Sequence, residues 1–138
     1  MPTSVIVTCA PTGGIHIPSM SPHVPTTPAG IATVSIQTAE AGASILQLYA
    51  RDPETGKPGY RQELFAQVLP AIKKSTDAVI KVSAASGLGM SIGGRLLAAS
   101  TAGPEMANLN MGSMNFGVFP MLRRYTGFQY AWVRPCWK

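Results

Sequence analysis

Residues 44–53 read Ser-Ile-Leu-Gln-Leu-Tyr-Ala-Arg-Asp-Pro, a short apolar run that ends directly in a turn. A run of this length, bounded by turn residues, is typical of a strand buried in a parallel sheet. Similar short runs occur at residues 4–8, 77–83 and 106–110. The sequence therefore predicts four strands that lie in one parallel sheet and are covered on both faces.

Helical patterns separate the four predicted strands. The first helix is expected to begin after Thr27, a good N-cap, with Pro28 at its first position, and to stop at Gly42. A second helix is predicted over residues 60–74, where apolar residues recur at spacings of three and four, and Pro70 should bend it or remove a turn. A third, weaker pattern covers residues 91–99. The alternation of strand and helix predicts an α/β fold.

The number of strand and helix units indicates about half of a larger architecture. A (β/α)8 barrel takes typically about 250 residues, and this chain of 138 residues offers four units. We expect residues 1–138 to form a single partial barrel domain. Its outer strands would lack neighbours, which exposes unpaired edges and apolar surface, so we predict self-association or a missing carboxyl-terminal half.

Composition and charge limit the possible classes of protein. With 46% hydrophobic and 12% charged residues, the chain suits a folded domain, and no apolar run is long enough to span a membrane. The first basic residue is Arg51, so a secretory signal is not expected and the cytoplasm is the predicted location. Cys9 and Cys136 lie at opposite ends without metal-type spacing. A basic, aromatic stretch after residue 123 could bind an anion such as CoA or RNA, although solvated charges beside packed aromatic rings are the simpler interpretation, and nucleic acid is an unlikely partner.

Candidate site residues are those at or after the carboxyl ends of the predicted strands, where barrels of this kind place their active groups. The set is polar but has few acids and bases. It consists of Cys9, Thr12, Gly13, Gly14, His16, His23, Arg51, Asp52, Ser83, Ser86, Asn108, Asn110, Ser113 and Asn115.

Two long motifs give the chain a family resemblance. Residues 104–117 read Pro-Glu-Met-Ala-Asn-Leu-Asn-Met-Gly-Ser-Met-Asn-Phe-Gly, and residues 8–22 read Thr-Cys-Ala-Pro-Thr-Gly-Gly-Ile-His-Ile-Pro-Ser-Met-Ser-Pro. With the Arg-Asp-Pro turn, they make the chain resemble the amino-terminal half of the β-keto acid cleavage enzymes, a family that includes the 3-keto-5-aminohexanoate cleavage enzyme. The resemblance implies a TIM-type barrel, zinc, and acetyl-CoA as co-substrate. It also implies cleavage of a β-keto acid to acetoacetate and an acyl-CoA.

The same resemblance exposes a departure at the metal site. The family strand reads His-x-His-x-Arg-Asp with both histidines on zinc, whereas these positions are Gln47 and Tyr49 here. The third ligand, a glutamate, would come from a late strand. A catalytic zinc site needs about three nitrogen, sulfur or carboxylate ligands. We therefore expect that zinc is not bound, with His16 as a weak candidate for a relocated ligand.

By resemblance, Ser83 holds the substrate carboxylate and Asn108 lies near the substrate. The family follows this serine with Thr-Gly-Gly, whereas Ala84, Ala85 and Ser86 stand here, so Ser86 is a weak substrate-binding candidate. Arg51 and Asp52 are retained and could orient the site or act in catalysis. The alternative is that Arg51 and Asp52 form an ordinary self-satisfied turn, as Asn108 could be a backbone cap.

Three hypotheses for function follow from the sequence. The first is membership of the β-keto acid cleavage family, with acyl-CoA chemistry implied for the complete enzyme and inactivity expected for this chain alone. The second is a non-catalytic half-barrel that pairs with itself or with a second polypeptide. The third is an anion-binding module that uses the basic aromatic tail.

Overall fold

A four-stranded parallel sheet organises the chain in the computed structural model, which describes residues 4–14, 16–59, 61–83 and 92–108. Its strands are β1 (Thr8–Cys9), β2 (Ile45–Leu48), β5 (Val79–Ser83) and β6 (Met106–Asn108), in the spatial order β1-β2-β5-β6. A small antiparallel pair, β3 (Ala50–Arg51) and β4 (Pro58–Gly59), follows β2. The parallel sheet with intervening helices confirms the predicted α/β fold.

The first helix, α1 (Pro28–Glu40), has the ends that the sequence predicts. The Thr27 hydroxyl accepts a hydrogen bond from the Gly30 N–H at 3.1 Å, and Pro28 occupies the first turn. Beyond the helix, Gly42 has a φ of +107°, a conformation that favours glycine. Local signals at both ends therefore suffice to define this helix.

The second helix, α2 (Gln62–Ser75), runs through Pro70 without losing a turn. Pro70 has no N–H, so it cannot donate the helical hydrogen bond to the carbonyl of Ala66. Both residues lie on the exposed side of the helix, where water can bond to that carbonyl. Of the two expected effects of Pro70, a turn is not lost, and a bend stays a prediction. The third helix, α3 (Ile92–Thr101), lies close to the predicted range.

The core lies on one face of the sheet, between the strands and the helices. Leu46 and Leu48 of β2, and Ile80 and Val82 of β5, are buried against α1 and α2. The two helices contribute the remaining buried apolar residues of these elements, Ile31, Ala32, Leu64, Phe65, Val68, Leu69 and Ile72.

The opposite face, which we call the open face, comprises Ile45, Gln47, Val79, Lys81 and Met106. The four residues of β2 and β5 alternate with buried residues along their strands. The five residues pair with one another in register, so their side chains share the side away from the helices. Ile45, Gln47, Val79 and Lys81 are half-buried and Met106 is 43% exposed. The expectation that the strands are covered on both faces stays a prediction for the open face, whose described residues are partly exposed.

The first strand begins later in the chain than the predicted range of residues 4–8 does. Only Thr8 and Cys9 pair with β2, opposite Ile45 and Leu46, whereas residues 4–7 precede the strand and Val5 is 76% exposed. The apolar run was visible in the sequence, but its pairing depends on where β2 begins. The fourth predicted strand is described only to Asn108, and residues 109–110 lie outside the described ranges.

Within the described ranges, no helix is long and apolar enough to span a membrane.

Candidate functional site

The loop after β1 packs onto the end of β2. The Thr12 hydroxyl donates a hydrogen bond to the Tyr49 carbonyl at 3.2 Å. The Tyr49 ring lies against Gly14 so closely that an added Cβ at Gly14 would come within 2.9 Å of the ring Cε1. Glycine is required here by this close approach of backbone to ring. The loop is thus fixed over the carboxyl end of the sheet.

Gln47 and Tyr49 lie on the open side at the end of β2. Gln47 and Tyr49 are two residues apart, and the Gln47 Nε2 donates a hydrogen bond to the Tyr49 hydroxyl at 2.5 Å. Both side chains are half-buried. The two groups satisfy each other, and neither carries a negative charge or an imidazole.

Arg51 is buried, and its hydrogen bonds connect β3 with the loop after β1 and with the turn before β4. Its side chain is almost fully buried, and Nη1 donates to the Gly56 carbonyl at 2.6 Å. Nη2 donates to the carbonyls of Thr12 and Gly13, each at 2.9 Å. A planar guanidinium can reach several acceptors at fixed angles, which an ammonium cannot do. Arg51 therefore holds the loop after β1 against the turn between β3 and β4.

Asp52, the next residue, points into its own turn. One carboxylate oxygen accepts the backbone N–H of Thr55 at 2.9 Å and that of Glu54 at 3.1 Å, and the other pairs with Arg61 at 3.0 Å. The hydrogen bond from the Thr55 backbone is the main cause that holds the pKa of the Asp52 carboxyl below its ordinary value. The carboxylate is thus engaged in an exposed turn.

Ser83 and Asn108 lie side by side at the carboxyl ends of β5 and β6. They are partners in register, Ser83 is fully buried and Asn108 partly buried. One step back along the strands, Lys81 pairs in register with Gln47 on one side and Met106 on the other. The structure thus brings Ser83 and Asn108 together, near Lys81.

Lys81 is absent from the residues that the sequence predicts for the site, although the structure places it beside Gln47. The signal was a single basic residue in the apolar run of residues 77–83, two positions before Ser83 and therefore on the same side of the strand. Its neighbour Gln47 is thirty-four positions away in sequence, and only the strand register brings them together.

Other predicted residues lie elsewhere. Cys9 is opposite Leu46 and packs against the core, on the side of the sheet away from Gln47. His16 and His23 are exposed in the loop after β1. Ser86, the residues at positions 110, 113 and 115, and the basic aromatic tail lie outside the described ranges.

Metal-ligating side chains do not gather in the described part of the chain. Within residues 4–14, 16–59, 61–83 and 92–108, no three His, Cys, Asp or Glu side chains are placed to hold a metal ion together. An open surface cavity of about 650 Å³ lies between the ends of α1 and α2, lined by Glu40, Ser44 and Thr76 among others. It is at the amino ends of the strands, the opposite end from Arg51 and Ser83.

The geometry can be compared with known proteins. The chain is 48% identical over 130 residues to a 3,5-dioxohexanoate:acetyl-CoA acetone transferase of Paraburkholderia graminis, and 94% of the chain aligns with 42% of that protein. It is 34% identical to a 3-dehydrocarnitine:acetyl-CoA trimethylamine transferase of Rhizobium meliloti, over 86% of the chain and 46% of that protein. A 3-keto-5-aminohexanoate cleavage enzyme of Acetoanaerobium sticklandii is 34% identical, over 82% of the chain and 41% of that enzyme.

The chain spans less than half the length of these relatives. A family model described as beta-keto acid cleavage enzyme matches residues 4–134, nearly the whole chain. The match includes the loop after β1, the end of β2, and the pair formed by Ser83 and Asn108. The expected resemblance is confirmed, and the chain belongs to the beta-keto acid cleavage enzyme family.

Proposed function

We propose that the protein binds a β-keto acid at the carboxyl ends of its strands, and that a complete barrel uses acetyl-CoA to cleave the acid once histidines stand at positions 47 and 49. The observation that carries the proposal is the side-by-side position of Ser83 and Asn108, within a family match that covers nearly the whole chain. A hydroxyl and an amide in this position can donate hydrogen bonds to a carboxylate. The named relatives act on 3,5-dioxohexanoate, 3-dehydrocarnitine and 3-keto-5-aminohexanoate.

We propose further that the usual zinc is not bound at this site. Zinc would need imidazole, thiolate or carboxylate donors, and the donor set here does not fit. The Gln47 amide offers a neutral oxygen, while its nitrogen bonds the Tyr49 hydroxyl. The Tyr49 phenol is not among the nitrogen, sulfur and carboxylate ligands that zinc sites use. The exposed His16 alone does not replace two imidazoles.

Arg51 and Asp52 are proposed to position the site rather than to touch the reacting atoms. Arg51 donates hydrogen bonds to the carbonyls of Thr12, Gly13 and Gly56. These bonds hold in place the loop that covers Tyr49. Asp52 closes the following turn and pairs with Arg61. Together they hold the loop after β1 and the turn between β3 and β4 at the carboxyl end of β2.

The proposal is tested by acetyl-CoA-dependent release of acetoacetate from the three β-keto acids named above. The chain is assayed alone and with a second polypeptide that supplies the remaining (β/α) units of the Paraburkholderia graminis relative. We expect no turnover by the chain alone or by the complemented parent. The complemented Gln47→His, Tyr49→His double variant should gain both zinc and turnover.

Each result of that assay has a defined consequence. Turnover by the parent with stoichiometric zinc would overturn the proposed loss of metal. Absence of turnover by a double variant that folds, binds zinc and assembles with the second polypeptide would overturn the proposed function.

A second candidate function is a non-catalytic half-barrel that pairs with another copy or polypeptide. It is favoured by exposed apolar residues at the β1 edge, where Val5 is 76% and Ile6 73% exposed, and by Met106 on the open face. Because the described strands and helices share one core, we propose that residues 1–138 form a single partial barrel domain.

Sedimentation velocity over a range of concentrations tests the pairing. We expect species larger than a monomer, and Val5→Lys together with Ile6→Lys should reduce them. A monodisperse monomer that melts cooperatively would contradict this second proposal.

A further inference from the structure

Lys81 occupies the middle of the open face. Its strand β5 lies between β2 and β6, and Lys81 pairs in register with Gln47 and with Met106. The residues on either side of it in sequence, Ile80 and Val82, are fully buried against the helices. Lys81 must therefore extend from the opposite side, where it is half-buried.

The acidic groups best placed to neutralise a lysine in this region are already engaged. The Glu105 carboxylate pairs with Lys73 at 3.1 Å and accepts the Ile80 N–H at 3.0 Å. Asp52 is held by its own turn and by Arg61. Within the described ranges, the Lys81 side chain makes neither a hydrogen bond nor an ion pair with another residue.

Neutral hydrogen-bonding side chains lie near Lys81 on the same side of the sheet. Gln47 is on the neighbouring strand, about 5 Å away by the ordinary spacing of strands. Tyr49, Ser83 and Asn108 each lie two residues further toward the carboxyl end of the sheet than Gln47, Lys81 and Met106. Two residues correspond to about 7 Å along a strand. A half-buried cation beside amide and hydroxyl donors is suited to a small anion with several oxygens, such as a carboxylate.

We propose that Lys81 is the cationic group that binds the carboxylate of a β-keto acid on the open face, without a metal ion. The identity of the acid rests on the proposed function, whereas the recognition of a short-chain carboxylate rests on the arrangement around Lys81. The interaction is an ion pair, so no covalent bond forms or breaks. Lys81 thereby places a positive charge one strand away from Gln47, where the family's zinc ligand is absent.

The test is a calorimetric titration of the 138-residue chain with acetoacetate in the presence of a chelator, which removes metal ions. Butyrate serves as a carboxylate without a keto group, and acetone as a ketone without a carboxylate. We expect acetoacetate and butyrate to bind and acetone not to bind. Lys81→Met should weaken binding about tenfold or more, because it removes a charged hydrogen-bond donor.

Two further variants control the experiment. Lys74→Met removes an exposed positive charge from the last turn of α2 and should leave the affinity unchanged. Lys81→Arg retains the charge and should bind more tightly than Lys81→Met, and Lys81→Gln replaces Lys81→Met if the latter does not fold.

The inference fails if the parent binds neither acid, if Lys81→Met binds as well as the parent, or if Lys74→Met weakens binding equally. Failure here is separate from failure of the proposed function. The complemented Gln47→His, Tyr49→His variant can still release acetoacetate if Lys81 does not bind a carboxylate. Conversely, Lys81 can bind butyrate even if that variant is inactive.

Discussion

The two faces of the sheet differ in what their side chains contact. On the helix-covered face, Leu46, Leu48, Ile80 and Val82 are fully buried and make one core with α1 and α2. On the open face, the alternate residues include a glutamine and a lysine that are only half-buried. Apolar burial is the dominant favourable term in folding. The helix-covered face therefore supplies most of the stability, and the open face carries the polar side chains for which we propose a binding role.

The largest expected difference in the free energy of unfolding is between substitutions at two adjacent residues of β2. Leu46→Ala removes a side chain that has no exposed surface and leaves a cavity, so it should lower the free energy of unfolding by about 2–5 kcal/mol. Gln47→Ala changes the open face and should cost no more than about 1 kcal/mol, chiefly the hydrogen bond to Tyr49. Urea denaturation measures both. Equal losses would contradict the assignment of stability to one face.

A second comparison concerns two arginines at the carboxyl end of the sheet. Arg51→Met removes a buried guanidinium and strands three carbonyls, which should cost about 3 kcal/mol or more. Arg61→Met breaks only an exposed ion pair with Asp52, worth about 1 kcal/mol at most.

The matched control for this pair is Arg51→Lys, which keeps the charge but not the planar arrangement of donors. It should remain well below the parent in the free energy of unfolding. Full recovery by lysine would show that charge alone matters and would refute the proposed fastening of the loop after β1.

A smaller effect is expected from Glu105 at the amino ends of the strands. Burial raises the pKa of its carboxyl, but hydrogen bonds from its own backbone, from Lys73 and from the Ile80 N–H outweigh this and hold the pKa below its ordinary value. Because the folded-state pKa is lowered, the stabilisation is present above the ordinary pKa of 4.5 and is lost as pH falls through the folded-state value.

Thermal unfolding between neutral and acidic pH checks this expectation. The difference in stability between the parent and Glu105→Gln should shrink as the pH falls below about 4.5. The change should be modest, because the pair with Lys73 is exposed to solvent. A difference that grew with acid would reverse the sign of the linkage and contradict the contacts.

The helix-covered face was largely predictable from the sequence, because its signals are local. Thr27, Pro28 and Gly42 mark the ends of α1 within a few residues of the helix, and the apolar spacing of α2 gives its buried side directly. The strand β1 was misplaced because pairing with β2 connects residues 37 positions apart, as Thr8 does with Ile45.

The open face was harder to predict, because its neighbours are set by strand register. Arg51 contacts Thr12 and Gly13 across 39 and 38 positions, so no local pattern reveals its buried partners. Lys81 is an ordinary basic residue in the sequence, and only its pairing with Gln47 places it near the site. The motifs identify the family, whereas the spatial arrangement of the open face requires the fold.

The central proposal is that the chain does not bind zinc at Gln47 and Tyr49, although it belongs to the family and has an α/β fold. The most direct measurement is a zinc titration of the parent and of the Gln47→His, Tyr49→His double variant, with circular dichroism as a check on folding. The parent should bind no stoichiometric zinc, and the double variant should bind it more tightly while both remain folded. Stoichiometric zinc on the parent, or equal affinity in the two proteins, would contradict the claim.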